Sequence, residues 1–297
     1  MSQDLFFQHL ANGISLGSLY ALIAIGYTMV YGILRLINFA HGDLLMMAAY
    51  MVFYGMLIFS LPWWLSVILA VILTAALGAG IERVAYRPLR DSPRISVLIS
   101  AIGVSFFLEN LGTVLFGGRA KAVYRPDWLA ATHEIGGVSI MTLALVIPAV
   151  TILLLLVLSY LVYKTKTGMA MRAVSRDYDT ARLMGIDVDR VIGFTFVTGS
   201  TLAAVGGIMW ALRYPQIHPF IGVMPGLKCF IAAVFGGIGN IPGAVLGGFL
   251  LGIGEIMLVA LFPDLAGYRD AFAFVILILT LLFRPTGLLG EKIAEKV

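Results

Sequence analysis

The sequence predicts an all-α fold, a polytopic transmembrane helical bundle of about eight to nine spans. Three observations predict it. Of 297 residues, 60% are hydrophobic and 12% charged, with a mean hydropathy of +0.98. A soluble domain carries about 25% charged and roughly 45–50% apolar residues. The apolar residues gather in runs that suit a bilayer core of about 30 Å, which needs about 20 residues of helix. The charges gather in short segments between the runs. This pattern excludes a cytosolic globular enzyme, a disordered chain and a nucleic-acid-binding domain. The pI near 9.2 reflects Lys and Arg kept on the cytoplasmic side of a membrane. No soluble domain fits between the runs, so 1–297 reads as one transmembrane domain.

Each element follows in order. Met1 to Leu10 holds Asp4 and His9 but no Lys or Arg. It lacks the basic start of a secretory signal, so the first helix is expected to be retained. Spans follow near 11–33, 44–61, 64–82, 95–116, 138–163, 191–212, 243–262 and 270–283. A shorter apolar stretch, 226–239, reads as a ninth crossing or a re-entrant segment. Basic residues orient the chain. Arg83, Arg87, Arg90 and Arg94 form one basic segment, and Lys164, Lys166, Arg172, Arg176, Arg182 and Arg190 a second. The tail adds Arg284, Lys292 and Lys296. These segments are assigned to the cytoplasm, which leaves Arg119, Lys121 and Arg125 outside, against the trend. Nine crossings put the N-terminus outside and the basic tail inside.

The 33 glycines suit close helix contacts in lipid. Gly13-x-x-x-Gly17, Gly243-x-x-x-Gly247 and Gly248-x-x-x-Gly252 each place small residues on one helix face, either within the chain or against another subunit. Arg35, Tyr86 and Trp210 stand near span ends and read as interfacial anchors. Pro148 falls inside a span, where neighbouring groups can satisfy the carbonyl it frees. A faint internal echo links Ile37-Asn38-Phe39-Ala40-His41-Gly42 with Ile217-His218-Pro219-Phe220-Ile221-Gly222. Each follows a small-residue helix, and on the assigned sides the pair would suit an inverted repeat. Two shared positions per hexapeptide also arise by chance.

Little in the chain suggests catalysis. The single cysteine, Cys229, excludes an intrachain disulfide. No Gly-Lys dipeptide occurs, so there is no Walker A motif. The histidines at 9, 41, 133 and 218 are scattered. Asp177, Asp179, Asp187 and Asp189 resemble a hard-cation site, but the interleaved Arg176, Arg182 and Arg190 would cancel their field. No catalytic residue, metal or cofactor is therefore assigned to this chain. The loop 164–190 is more informative. Val174, Tyr178 and Ala181 fall at i, i+4 and i+7, one apolar stripe over two helical turns, and Gly185 stops the helix. Such a helix suits a groove of another protein or the membrane surface.

Here the residues become recognisable. Asp179-Thr180-Ala181-x-x-x-Gly185 resembles the Glu-Ala-Ala-x-x-x-Gly coupling loop of bacterial ABC-importer permeases. Several blocks are similar to LivH-type permeases of high-affinity branched-chain amino acid importers. They include Leu16-Gly17-Ser18, the run Tyr20 to Ile33, Ile37 to Gly42, Ile81 to Pro88, Leu98 to Gly103, Ala232 to Ala244 and Arg284 to Gly290. The resemblance spans nearly the whole chain. It departs at Asp179-Thr180, which replace Glu-Ala, and at His218, where members carry Asn. The resemblance implies a permease subunit of the bacterial inner membrane that moves leucine, isoleucine and valine by alternating access. It implies a second related permease, a periplasmic solute-binding protein and two ATP-binding subunits that hold the ATP and Mg²⁺. Val174, Tyr178, Asp179, Ala181 and Gly185 would couple this chain to the ATPase. Permeases for urea or other amino acids share these features, and a self-sufficient secondary transporter shares the hydrophobic architecture without accounting for the coupling motif.

Polar residues inside spans are costly and therefore candidates for the translocation path. Glu109, Asn110 and Glu255 lie within spans, and Asn38, His41 and Asp43 lie at a break between two spans, where unwound backbone lines a cavity. An interhelical hydrogen bond that fixes the fold is the alternative for each.

Overall fold

The computed structural model describes residues 3–90 and 92–290; Lys292 and Lys296 of the basic tail lie outside the described residues. Twelve α-helices are described, with four short strands. The order is α1 (Gln3–Leu34), α2 (His41–Leu57), α3 (Trp63–Ile81), α4 (Arg94–Phe116), β1 (Lys121–Ala122), α5 (Asp127–Ala130), β2 (Thr132–Ile135) and β3 (Val138–Met141). Then come α6 (Thr142–Lys164), α7 (Lys166–Arg176), α8 (Tyr178–Leu183), α9 (Val188–Arg213), β4 (Gln216–Ile217), α10 (Val223–Gly236), α11 (Ile241–Leu261) and α12 (Arg269–Phe283). A π turn, Glu82–Tyr86, and a 3₁₀ turn, Arg87–Leu89, extend α3, and a 3₁₀ turn, Pro263–Tyr268, leads into α12.

Seven of these helical segments are long and apolar enough to cross a membrane. The chain is an integral, multi-pass membrane protein. With α2 and α10 they account for all nine apolar runs. The two extra helices are short. At 1.5 Å per residue, the 17 residues of α2 span about 26 Å, and the 14 of α10 about 21 Å, against about 30 Å of hydrocarbon. The run at 226–239 is therefore a short helix, not a full-length span. The chain's first ten residues also differ from expectation, because α1 begins at Gln3. Helix α6 runs through Pro148.

The described residues form two compact units, whose boundaries fall inside α1, α6 and α10. One comprises 1–28, 126–153 and 228–297. Its α1 and α11 cross at near-backbone distance. A Cβ at Gly252 would lie 2.3 Å from the Gly17 backbone, and one at Gly248 would lie 2.4 Å from the Ala21 backbone. A Cβ at Gly247 would lie 2.0 Å from the Ala232 carbonyl of α10. The small-residue sets of α1 and α11 are thus used within this chain, where they admit close van der Waals packing that lipid cannot supply. The Gln8 side chain donates to the Ser139 carbonyl at 2.8 Å and accepts from its N–H at 2.9 Å, which ties the start of α1 to the β2–β3 hairpin.

The other unit comprises 29–125 and 154–227. Here α2, α3 and α9 pack against one another, and eleven residues of α2 are buried, as expected of a helix that is apolar all round. Close approach again rests on glycine: a Cβ at Gly207 would lie 2.4 Å from the Leu45 carbonyl. At one end, β1 pairs antiparallel with β4, and Tyr50 stacks on Phe116 with ring centroids 4.3 Å apart. At the other end, Arg87 and Arg90 pair with Asp189 at the start of α9. The loops after α4 and α9 therefore share one end and the two basic segments share the other. Large apolar side chains such as Ile72, Phe107, Leu156 and Leu282 are exposed, and lipid is the solvent that makes this arrangement favourable.

Candidate functional site

The segment 164–190 is built by its own side chains. The Thr165 hydroxyl caps α7 by accepting from the Gly168 N–H, and Asp177 caps α8 by accepting from the N–H groups of Asp179 and Thr180, each at 3.0 Å. Asp187 caps α9 in the same way. Such caps satisfy N–H groups that a helix start leaves without partners. The four aspartates thus have separate tasks: Asp177 and Asp179 stand at the start of α8, Asp187 caps α9, and Asp189 pairs with arginines. The Asp177 cap also breaks the expected continuous helix over 174–185 into two, because its backbone is extended at φ −160° and ψ 119°.

That break changes which face is presented outward. Val174 and Ala181 are buried, at 1% and 3% exposure, and α7 and α8 pack on α9. The stripe turns inward. Tyr178, half-buried between them, donates its hydroxyl to the Ile33 carbonyl at 2.6 Å, one of the last four carbonyls of α1 that lack an intrahelical partner. Burial raises the phenol's pKa above its ordinary value, with Arg90 and Arg35 partly offsetting it, so the group stays a donor. Outward stand Leu183 and Met184, 88% and 77% exposed, beside the exposed Asp179. Gly185 follows at φ +81°, a left-handed conformation that glycine adopts without steric cost. Sequence reasoning gave no role to Leu183 and Met184; two consecutive apolar residues before a helix-stopping glycine were the available signal.

The break between α1 and α2 lies in the same unit. Asn38 accepts from the Tyr86 hydroxyl at 2.8 Å. Tyr86 is 2% exposed and is not an interfacial anchor; it holds the break to the π turn after α3. Asp43 accepts from the Ser105 hydroxyl of α4 at 2.6 Å, and Glu109 is half-buried one turn further along α4. His41 is buried at 1%. Asn110 faces the exposed side of α4 and donates to its own helix, at the Phe106 carbonyl. The two echoed hexapeptides meet at their final glycines: a Cβ on Gly222 would lie 1.9 Å from the Gly42 carbonyl. Asn38, His41, Asp43 and Glu109 therefore share one unit, and Asn110 turns away.

Glu255 belongs to the other unit and to a different arrangement. Its carboxylate, 0% exposed, accepts from Lys228 at 2.9 Å, Arg269 at 2.8 Å and the Tyr20 hydroxyl at 3.0 Å. Lys228 also pairs with Asp270 at 2.7 Å. Two cations and two carboxylates thus join α10, α11 and α12, with Tyr20 of α1 beside them. Arg269 opens α12. Lys228 lies inside α10 at 5% exposure, where its ammonium requires partners. A lone lysine within an apolar run was the signal.

Known proteins match this chain end to end. The family profile described as branched-chain amino acid transport system / permease component matches residues 9–281. The high-affinity branched-chain amino acid transport system permease proteins LivH of Escherichia coli K12 and of Salmonella typhimurium LT2 are each 46% identical to it, over 98% of both chains. BraD of Pseudomonas aeruginosa PAO1, described in the same words, is 44% identical over 98% of both chains. The chain belongs to the family of permease components of branched-chain amino acid transport systems.

Proposed function

We propose that this chain is one of two permease subunits in an ATP-driven importer of the bacterial inner membrane. It would move leucine, isoleucine and valine inward by alternating access, with solute delivered by a periplasmic binding protein. The family match supports the substrate class. The observation that carries the mechanism is the two-faced coupling segment. Leu183 and Met184 present an apolar knob to the cytoplasm, suited to a groove of an ATP-binding subunit, while Val174, Ala181 and the Tyr178–Ile33 bond fasten the segment to the spans. ATP is bound and hydrolysed on two partner subunits.

The chain's own residues then transmit the motion. Displacement of α8 pulls through Tyr178 on Ile33 of α1, five residues before Asn38, and Asn38 is held by Tyr86. The irregular stretch 35–40 between two helices can absorb such a change, as hinge segments do. Nucleotide shifts the conformations only by its differential affinity for them. Along the path we place Asn38, His41, Asp43 and Glu109; the acidic groups suit an ammonium and the apolar walls an aliphatic side chain. Reconstituted importer should take up labelled leucine and not urea. Uptake of urea in preference to leucine would overturn the substrate assignment, and uptake without nucleotide would overturn the mechanism.

A further inference from the structure

A cavity of about 250 Å³ lies between the coupling segment and the ends of α1 and α4. Val97 and Val174 contribute apolar wall, and Arg35, Arg90 and Arg176 contribute charge. Among the described residues lining it, Asp177 is the one acid, and its carboxylate is occupied in capping α8. The terminal nitrogens of Arg90 pair with Glu82 and Asp189, yet its buried Nε has no hydrogen-bond partner. Arg35 has no ion-pair partner among the described residues and is exposed. It also occupies the position after the last turn of α1 at φ +52°. Helices commonly end there on glycine, because a side chain pays a steric cost in this conformation. A strained arginine where glycine fits better is the kind of outlier that accompanies a binding site.

Depth identifies the occupant. Helix α1 ends at Leu34 and the α4 span begins at Ile95, so the cavity lies where two spans end on the arginine-rich side of the chain. That is the level of phospholipid headgroups, and basic pockets between spans at this level suit anionic headgroups. We propose that the cavity binds the phosphate of an anionic phospholipid, with Arg35 as the principal contact, and so places a lipid against Tyr178 and Val174 of the coupling segment. The shared chemistry is a phosphate anion; a free phosphate is the competing source.

The test uses the full chain purified in mild detergent, with native mass spectrometry to count bound phosphatidylglycerol. Wild type should retain the lipid, and Arg35→Gly should bind it about fivefold more weakly, the effect of one basic group at an anionic surface. Arg35→Gly should unfold at the same or a higher temperature, because glycine relieves the backbone strain. Arg35→Lys should keep most of the binding, and Arg119→Gly, an equal charge loss on an exposed loop, should bind like wild type. Equal retention by wild type and Arg35→Gly would overturn the proposal. Displacement of the lipid by millimolar inorganic phosphate would overturn the lipid as the natural occupant. The measurement needs no transport, so it stands or falls separately from the importer assignment.

Discussion

At the scale of single residues, the polar groups of the candidate site find their partners far away in sequence. Tyr178 reaches Ile33, 145 positions away, and Tyr178→Phe should cost about 1 kcal/mol of stability, as for a typical hydrogen bond. It should lower leucine uptake while leaving the ATP-binding subunits attached, as measured by uptake against co-purification. Glu255 holds two buried or half-buried cations. Glu255→Ala removes one of the two carboxylates that hold Lys228 and should cost about 3–5 kcal/mol, the penalty of breaking a buried pair, read as loss of folded protein in a detergent melting assay. Asp43 and His41 were legible in sequence as polar groups at a break between spans, and Glu109 as one within a span. Ser105 was not, and Tyr86 read as an anchor, because a hydroxyl carries no pattern until its partner is known; Lys228 was visible only as a lone lysine in an apolar run.

At the scale of elements, the segment 164–190 shows what periodicity alone leaves open. Spacing found the apolar stripe of Val174, Tyr178 and Ala181 correctly as a stripe, but spacing is silent on whether a stripe meets another chain or its own. The structure turns it inward onto α9 and leaves Leu183 and Met184 outside. The double variant Leu183→Asp and Met184→Asp should therefore insert normally and lose the ATP-binding subunits on purification. Ala181→Leu should instead damage the segment's own packing, by about 1–3 kcal/mol for overpacking. Gly185→Val places a β-branched residue at φ +81° and should abolish coupled uptake with insertion intact; normal uptake by that variant would count against the coupling role. The glycine faces were equally legible as close-packing surfaces, and the structure sets Gly13 and Gly17 of α1 against the Gly248–Gly252 face of α11, and Gly243 and Gly247 against α10.

At the scale of the whole molecule, burial follows lipid rules. The most buried helices, α2 and much of α1 and α9, carry the small and polar residues, while α3, α4, α6 and α12 expose large aliphatic side chains. The lone Cys229 is fully buried, so a maleimide should label it slowly in native membranes and readily after denaturation in detergent. Fast labelling in the native membrane would contradict the packing of α10. Nine apolar runs were countable from hydropathy, but hydropathy measures composition and not length in three dimensions. The shortness of α2 and α10 became visible only as helices.

The sequence by itself determined the class, the membrane environment, the number of apolar segments and the basic side. Each of these follows from local composition or spacing, which the solvation cost of charge in lipid makes strict. The tertiary structure alone decided which polar groups meet: Asn38 with Tyr86, Asp43 with Ser105, and Lys228 with Glu255 and Asp270. It also decided which way the stripe of Val174, Tyr178 and Ala181 turns and that Arg35 stands strained beside a cavity. These are pairings between distant segments, fixed by packing geometry that no single window of sequence contains.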